Sequence, residues 1–148
     1  MLLKDRYKGL YRRVGFLSLL CIVLSGCEIN KLKIIVPDGF TGEVCLIKSN
    51  VLSNELVLDS NGIGYITEST FDGIKFEPIV LSASGKNLSA NCVGFSPSVF
   101  WARGEFESLE PKVKIKYMSF EIVPDSLIGK KQYYDTDLLK FVDTLKLK

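Results

Sequence analysis

Apolar residues in this chain recur at every second position, in short runs closed by turn residues. That period is what half-buried β-strands leave in a sequence. Leu32, Ile34 and Val36 alternate and stop at Pro37-Asp38-Gly39. Residues 44–47 are apolar on both phases, as an interior strand is. Residues 55–58 lead to Asn61-Gly62, a hairpin signal, and a further strand pattern occupies residues 63–67. Residues 76–81 and 91–95 flank the turn Ser84-Gly85-Lys86-Asn87, and residues 97–102 add another extended stretch. The clearest alternation runs through Lys112-Val113-Lys114-Ile115-Lys116-Tyr117, after which Met118, Phe120 and Ile122 take the opposite parity and Pro124 closes the segment. Such a phase shift predicts a β-bulge or a strand crossing between sheets. The fold class is therefore mostly β, and the expected architecture is an antiparallel β-sandwich of immunoglobulin- or transthyretin-like character. The tail differs: Asp135-Thr136-Asp137 offers an N-cap, and Leu138, Phe141, Val142 and Leu145 stand at helical spacing. These residues predict one short C-terminal amphipathic helix, about residues 136–146, docked on the sheet.

Chemistry is scarce. At 148 residues the chain suits one ordinary domain, and it holds no histidine. Ser-His-Asp and Cys-His catalysis and His-ligated metal sites are thereby excluded. Ser84-Gly85-Lys86 lacks the upstream glycine and the following hydroxyl of a phosphate loop. Glu105, Glu107 and Glu110 read as a solvated acidic loop; a carboxylate pair for glycoside chemistry and a calcium loop are the sharper alternatives. Lys112, Lys114 and Lys116 form a one-sided basic row, read as a solvent face or guarded edge, with anionic lipid or glycan contact as the alternative. No catalytic residue, metal site or cofactor is expected, and the chain is read as a non-enzyme.

The candidate binding surface is aromatic. Residues 95–103 (FSPSVFWAR) contain the single Trp. If the segment is a strand, Phe100 and Trp101 point to opposite faces, so that one fills the core and the other is an exposed anchor beside Arg103. Burial of that anchor under the C-terminal helix is the plainer reading.

The N-terminus carries an address. Lys4, Arg6, Lys8, Arg12 and Arg13 precede an uncharged run over residues 14–25, roughly the length of a signal-peptide core and short of the ~20 residues that span a bilayer. The run ends in Leu24-Ser25-Gly26-Cys27, which resembles the lipobox of bacterial lipoprotein precursors. The resemblance implies cleavage between Gly26 and Cys27, and a diacylglycerol thioether plus an N-acyl chain on Cys27. At ~0.8 kcal/mol per buried CH₂, two or three chains hold a domain at a membrane. It further implies three parts: a signal-peptide helix at residues 1–26, a lipidated tether at 27–31 and the domain at 32–148. Glu28 after the modified Cys, in place of Asp, resembles the sorting signal of outer-membrane lipoproteins facing the periplasm. Cleavage removes five basic residues and one acid, so nineteen and seventeen become fourteen and sixteen and the net charge falls from +2 to −2. No nucleic-acid surface is expected on such a chain.

Export bears on the remaining thiols. Cys21 leaves with the leader, and Cys45 and Cys92 stay in a compartment that permits disulfides. A bridge closing about 47 residues contributes roughly 4 kcal/mol in the chain-entropy account. The alternative is two separate thiols acting as small apolar residues.

Residues 35–44 (IVPDGFTGEV) and 61–66 (NGIGYI) resemble the opening of small bacterial lipoproteins of uncharacterised function, whose first strand carries an aliphatic-Pro-x-Gly-aromatic-x-Gly pattern. The motif is a turn with an aromatic plug and carries no chemistry. The functional expectation is a membrane-anchored, non-enzymatic binding or accessory module of the cell envelope with a protein partner. The alternative is a periplasmic immunity lipoprotein that neutralises an envelope-acting toxin.

Overall fold

The computed structural model describes residues 31–109, 112–130 and 138–147. The expected signal peptide, Cys27 and most of the expected tether, Glu110 and the expected cap at 135–137 lie outside these residues.

The fold is mostly β, in two sheets with little helix. A small sheet pairs β1 (Lys33–Val36) with β4 (Ile79–Ser82) in parallel, Lys33 opposite Ile79 and Val36 opposite Ser82. The larger sheet is centred on β7 (Lys112–Ile122). One edge of β7 takes β2 (Gly42–Ser49), which carries β3 (Ile63–Thr67) beyond it. The other edge takes β6 (Ala102–Leu109) and, further along, the two residues of β5 (Cys92–Val93).

All pairings with β7 are antiparallel, but β2 and β3 run parallel, Cys45 beside Ile63 and Ser49 beside Thr67. The large sheet is thus mixed and the small one parallel, which corrects the all-antiparallel expectation. The cause lies in the path from β2 to β3. Residues 55–58 fold back on the next strand only at Glu55, which exchanges backbone hydrogen bonds with Tyr65 at 2.7 and 3.2 Å; beyond it they lie along β1, where Ile35 N–H donates to Leu56 O and Leu58 N–H donates to Ile35 O, both at 2.8 Å. The chain leaves the large sheet, visits the small one and returns to its starting end, and a returning crossover delivers a parallel strand.

Two apolar clusters result. The main one lies between the sheets, where Ile34, Val36 and Val80 meet Val44, Leu46, Met118, Phe120 and Ile122. The second covers the opposite face of the large sheet with Cys45, Ile47, Ile63, Tyr65, Ile115 and Val142. β7 serves both, and this accounts for its change of phase. Its pairing with β6 is unbroken from Lys112 to Ser119, and with β2 from Tyr117 to Ile122, so no bulge and no sheet crossing is present. Instead the covered face changes along a continuous strand: Ile115 is buried under the second cluster, and Met118, Phe120 and Ile122 under the first.

The tail also departs from expectation. In place of one helix there are two 3₁₀ turns, Leu138–Phe141 and Thr144–Leu147. The break falls at Asp143, whose N–H donates to the Tyr65 hydroxyl at 2.7 Å and whose carboxylate accepts from Leu145 N–H at 2.9 Å. An Asp that engages the backbone in this way competes with helix continuation. Val142 is buried on the sheet, so docking occurs as expected, while Phe141 and Leu145 stay exposed.

One helix was not legible in the apolar periodicity. α1 (Glu68–Gly73) is capped by Thr67, whose Oγ1 accepts from Thr70 N–H at 3.3 Å, and it buries Phe71. Six residues leave too short a window for a 3.6-residue period to register.

Gly62 fixes the turn into β3. Its φ is +74°, and a Cβ there would stand 2.5 Å from Glu43 O and 2.7 Å from Phe40 Cζ. Gly62→Ala combines left-handed strain with a backbone clash and is expected to cost about 2–4 kcal/mol. Gly85→Ala, at φ +89° with nothing within 4 Å, is expected to cost only about 1 kcal/mol. Urea unfolding of the two variants measures the difference. Tyr65→Phe removes the acceptor of Asp143 N–H and is expected to cost about 1 kcal/mol, with faster amide exchange at Asp143 as the local signature.

Candidate functional site: the loop between β5 and β6

β5 and β6 are one strand line, interrupted. Val93 stands opposite Glu121 of β7 and Ala102 opposite Ser119, so a regular strand would need a single residue between them. The chain supplies eight, residues 94–101, and the excess leaves the sheet edge as a loop.

The loop closes on itself. Phe95 N–H donates to Phe100 O at 2.9 Å, and Ser96 and Val99 exchange backbone hydrogen bonds at 2.9 and 3.2 Å around Pro97-Ser98. Pro at the second turn position supplies the φ that such a turn requires. Gly94 permits the closure, because a Cβ there would meet Phe100 Cα at 2.7 Å.

Phe100 and Trp101 therefore do not occupy a strand, and they do not face opposite ways. Both rings pack on Phe120, the β7 residue left without a strand partner at the interruption. Ring centroids lie 5.3 Å from Phe120 in each case and 5.2 Å from each other. The Trp101–Phe120 and Phe100–Trp101 pairs are edge-to-face, the favoured arrangement of aromatic quadrupoles. Trp101 is buried and its Nε1–H donates to Phe76 O at 3.0 Å. Arg103 donates from Nη2 to Ile74 O at 3.0 Å, with its guanidinium 5.0 Å from the centre of the Phe71 ring. Both side chains thus tie the segment after α1 to the sheet. What the fold presents outward are Phe76, Phe95 and Val99, at 52%, 59% and 50% exposure.

Two open depressions flank this loop. One, of about 500 Å³, is lined by Ile74, Lys75, Phe95, Val99, Phe100 and Arg103, among others. The other, of about 460 Å³, is bounded by Lys31, Lys75, Phe76, Glu77, Pro97 and Phe100, among others. Lys75 and Phe100 stand between them. The sequence brought forward Phe100, Trp101 and Arg103, and the structure gathers all three at the first depression. It hides Trp101, however, and adds Phe76, which is distant in sequence and had no motif to mark it.

The charged rows meet each other. In the β6–β7 hairpin Glu105 faces Lys116 and Glu107 faces Lys114. Lys114 and Lys116 both reach Glu105, and Lys112 lies 3.3 Å from Glu107. Its bond to Glu105 holds the Lys114 ammonium in the charged form, above its ordinary pKa. Each row neutralises the other, which answers both the isolated acidic loop and the free basic row. Glu110 lies outside the described residues.

The cysteines are free thiols, which corrects the expected bridge. Cys45 pairs with Ser119 on one edge of β7, whereas Cys92 pairs with Ile122 on the other. Two strand spacings separate them by about 10 Å across the sheet and the three-residue offset adds about as much along it, well beyond the ~7 Å that a disulfide can span. The odd offset of three residues along β7 also sends their side chains to opposite faces: Cys45 joins the second cluster and Cys92 packs on the first. Burial pushes both thiol pKa values up, that of Cys92 to about 12, with Glu77 adding to the shift; for Cys45 the nearby Glu43 charge adds to burial.

No protein-family model and no curated protein sequence matches the chain. Among solved structures, its fold is similar to a "Putative Lipoprotein from Bacillus anthracis", with a TM-score of 0.40 and 11% identity over 72% of this chain and 83% of the other. No helix of the described residues is long and apolar enough to cross a membrane.

Unbridged thiols predict that a reductant leaves the urea midpoint unchanged, and that buried Cys45 reacts with thiol reagents only on unfolding whereas half-buried Cys92 reacts sooner. They also set a pH dependence. Below the ordinary thiol pKa of about 9 both states hold their protons. Above it the unfolded chain releases protons that the folded chain keeps. Stability is therefore expected to fall as pH rises from about 9 towards 12, by roughly 1 kcal/mol per unit for each thiol. The raised pKa values of Tyr65 and Tyr117, chiefly from burial, act with the same sign. Chemical denaturation at stepped pH, with Cys92→Ala as comparison, measures the slope.

Proposed function

We propose that this chain is a bacterial lipoprotein: a β domain held at the cell envelope by acyl chains on Cys27, acting as a non-enzymatic binding or accessory module. The observation that carries the reading is the order of the N-terminal segments. A basic stretch, a short apolar run and Leu24-Ser25-Gly26-Cys27 follow one another within 27 residues. The first strand begins at Lys33, six residues after the acylated position.

The domain suits such a role. Its small sheet packs on its large one in the manner of a two-layer sandwich, although the parallel pairs β1–β4 and β2–β3 depart from an immunoglobulin- or transthyretin-like pattern. The acids of the β6–β7 hairpin are held by lysines, the chain has no histidine, and the open aromatic loop is a surface for contact. Glu28 in place of Asp favours the outer membrane and the periplasmic side. A tethered domain meets membrane-bound partners at high effective concentration, and this is the whole of its mechanism. A role in neutralising an envelope-acting toxin uses the same tether and the same surface.

The test is the intact mass of protein from a bacterial host that processes lipoproteins. The wild type is expected to lack residues 1–26 and to carry acyl chains, while Cys27→Ala keeps the full precursor mass and takes no labelled fatty acid. A wild type without acyl groups, or with its first 26 residues attached, overturns the reading.

A further inference from the structure

The partner of the aromatic loop follows from where the tether joins the domain. Lys31, the first described residue, lines the same depression as Phe76, Lys75 and Pro97. Between it and Cys27 lie only four peptide spacings, at most about 14 Å of chain even when fully extended. Whatever surface surrounds Lys31 is therefore kept within headgroup distance of the bilayer once Cys27 is acylated.

That surface has the composition of an interfacial contact. Phe76, Phe95 and Val99 are each at least half exposed. Lys31 and Lys75 line the depressions that these side chains border, and Lys33 follows two residues after Lys31; the three amines are exposed and none makes an ion pair among the described residues. Lys33 sits beside Ile79, itself 40% exposed, at the start of the small sheet. Glu77 is the one carboxylate lining either depression. Aromatic and aliphatic side chains ringed by lysines suit the boundary of acyl chains and anionic headgroups. Leu52 is the contrasting case. It is fully exposed too, but it follows the far end of β2, on the side of the sheet that carries β3 rather than β5.

We propose that the face formed by Phe76, Phe95 and Val99 rests on the bilayer that holds Cys27, with Lys31, Lys33 and Lys75 against anionic headgroups. This rests on the lipoprotein reading and goes beyond it by fixing the orientation: the domain lies down on its loop, and the end bearing Leu52 points away from the membrane.

The experiment uses the full acylated protein in vesicles of phosphatidylethanolamine and phosphatidylglycerol containing a brominated-acyl lipid. Phe95→Trp, Val99→Trp and Leu52→Trp are prepared separately, and the emission of buried Trp101 is subtracted with the parent protein. Brominated lipid is expected to reduce the added emission at 95 and at 99 by about twofold or more, to leave that at 52 unchanged, and to act more weakly without phosphatidylglycerol. Two loop positions guard against one variant failing to fold. Equal quenching at 52 and at the loop overturns the orientation, as does none at any position. Emission at 95 that changes only when soluble envelope proteins are added assigns the face to a protein partner and likewise overturns the proposal. Intact mass separates the two failures: unquenched but acylated protein refutes the orientation alone, whereas unacylated protein refutes the anchor beneath it.

Discussion

An eleven-residue strand with both faces and both edges occupied is the constraint from which the rest of this fold follows. β7 is paired on one edge by β2 and on the other by β6 and β5, and its side chains enter two separate apolar clusters. Ile115, Met118 and Ile122 are at most 1% exposed. A strand so enclosed allows no register slip, because moving it by one residue would carry Lys114 or Lys116 into the place of Ile115 and empty both clusters at once. The small sheet covers one face and the C-terminal turns cover the other, so neither layer is optional.

The aromatic loop is a consequence of the same strand. Residues 94–101 must leave the sheet because β5 and β6 claim positions on β7 that are only two residues apart. Their departure strips Phe120 of a neighbour on that edge, and Phe100 and Trp101 return to cover it. Trp101 and Arg103 then reach the carbonyls of Phe76 and Ile74, which brings the segment after α1 under the loop. The outward display of Phe76, Phe95 and Val99 is thus set by an inward demand: Phe100 and Trp101 are drawn onto Phe120, and the other three stay at least half exposed.

This explains what the sequence could and could not reveal. Period-two alternation located most strands, since burial of one face imposes it directly, and Pro37-Asp38-Gly39 and Asn61-Gly62 do mark turns. The same alternation misled at Tyr117-Met118. A change of parity looks identical whether the backbone bulges or the covering layer changes sides, and only the second layer tells them apart. The tail failed for a similar reason. Its apolar spacing is helical, but Tyr65, more than seventy residues earlier, supplies an acceptor that holds Asp143 out of a helix. Parallel pairing was invisible because residues 55–58 look like any strand, and nothing local says that they lie along β1. The thiols needed the register as well: two strand-like Cys segments are compatible with a bridge until β7 is placed between them. At the site, Phe100, Trp101 and Arg103 were legible as an aromatic-basic cluster. Phe76 and Lys75 were not, because they arrive through the clamp and carry no motif of their own.

The distribution of charge supports a contact surface at the loop and not elsewhere. In the β6–β7 hairpin every described lysine of the row has a carboxylate within reach, and exposed pairs of this kind contribute little to stability. Their effect is to weaken a field: two described glutamates offset most of the charge of three lysines, which lowers the potential that attracts an ion at a distance. Lys48 and Lys146 are similarly engaged, by Glu68 and Glu55. Of the described lysines that make no ion pair with a described residue, Lys31, Lys33 and Lys75 lie on the segments that enter the domain or follow α1, while Lys130 and Lys140 lie on the C-terminal part of the chain. The net charge of −2 that the proposed cleavage would leave opposes an anionic surface. In the proposed lipoprotein, the amines of Lys31, Lys33 and Lys75 would offset this near the tether, since beyond about 8–10 Å of salt solution the acids on the rest of the domain are screened.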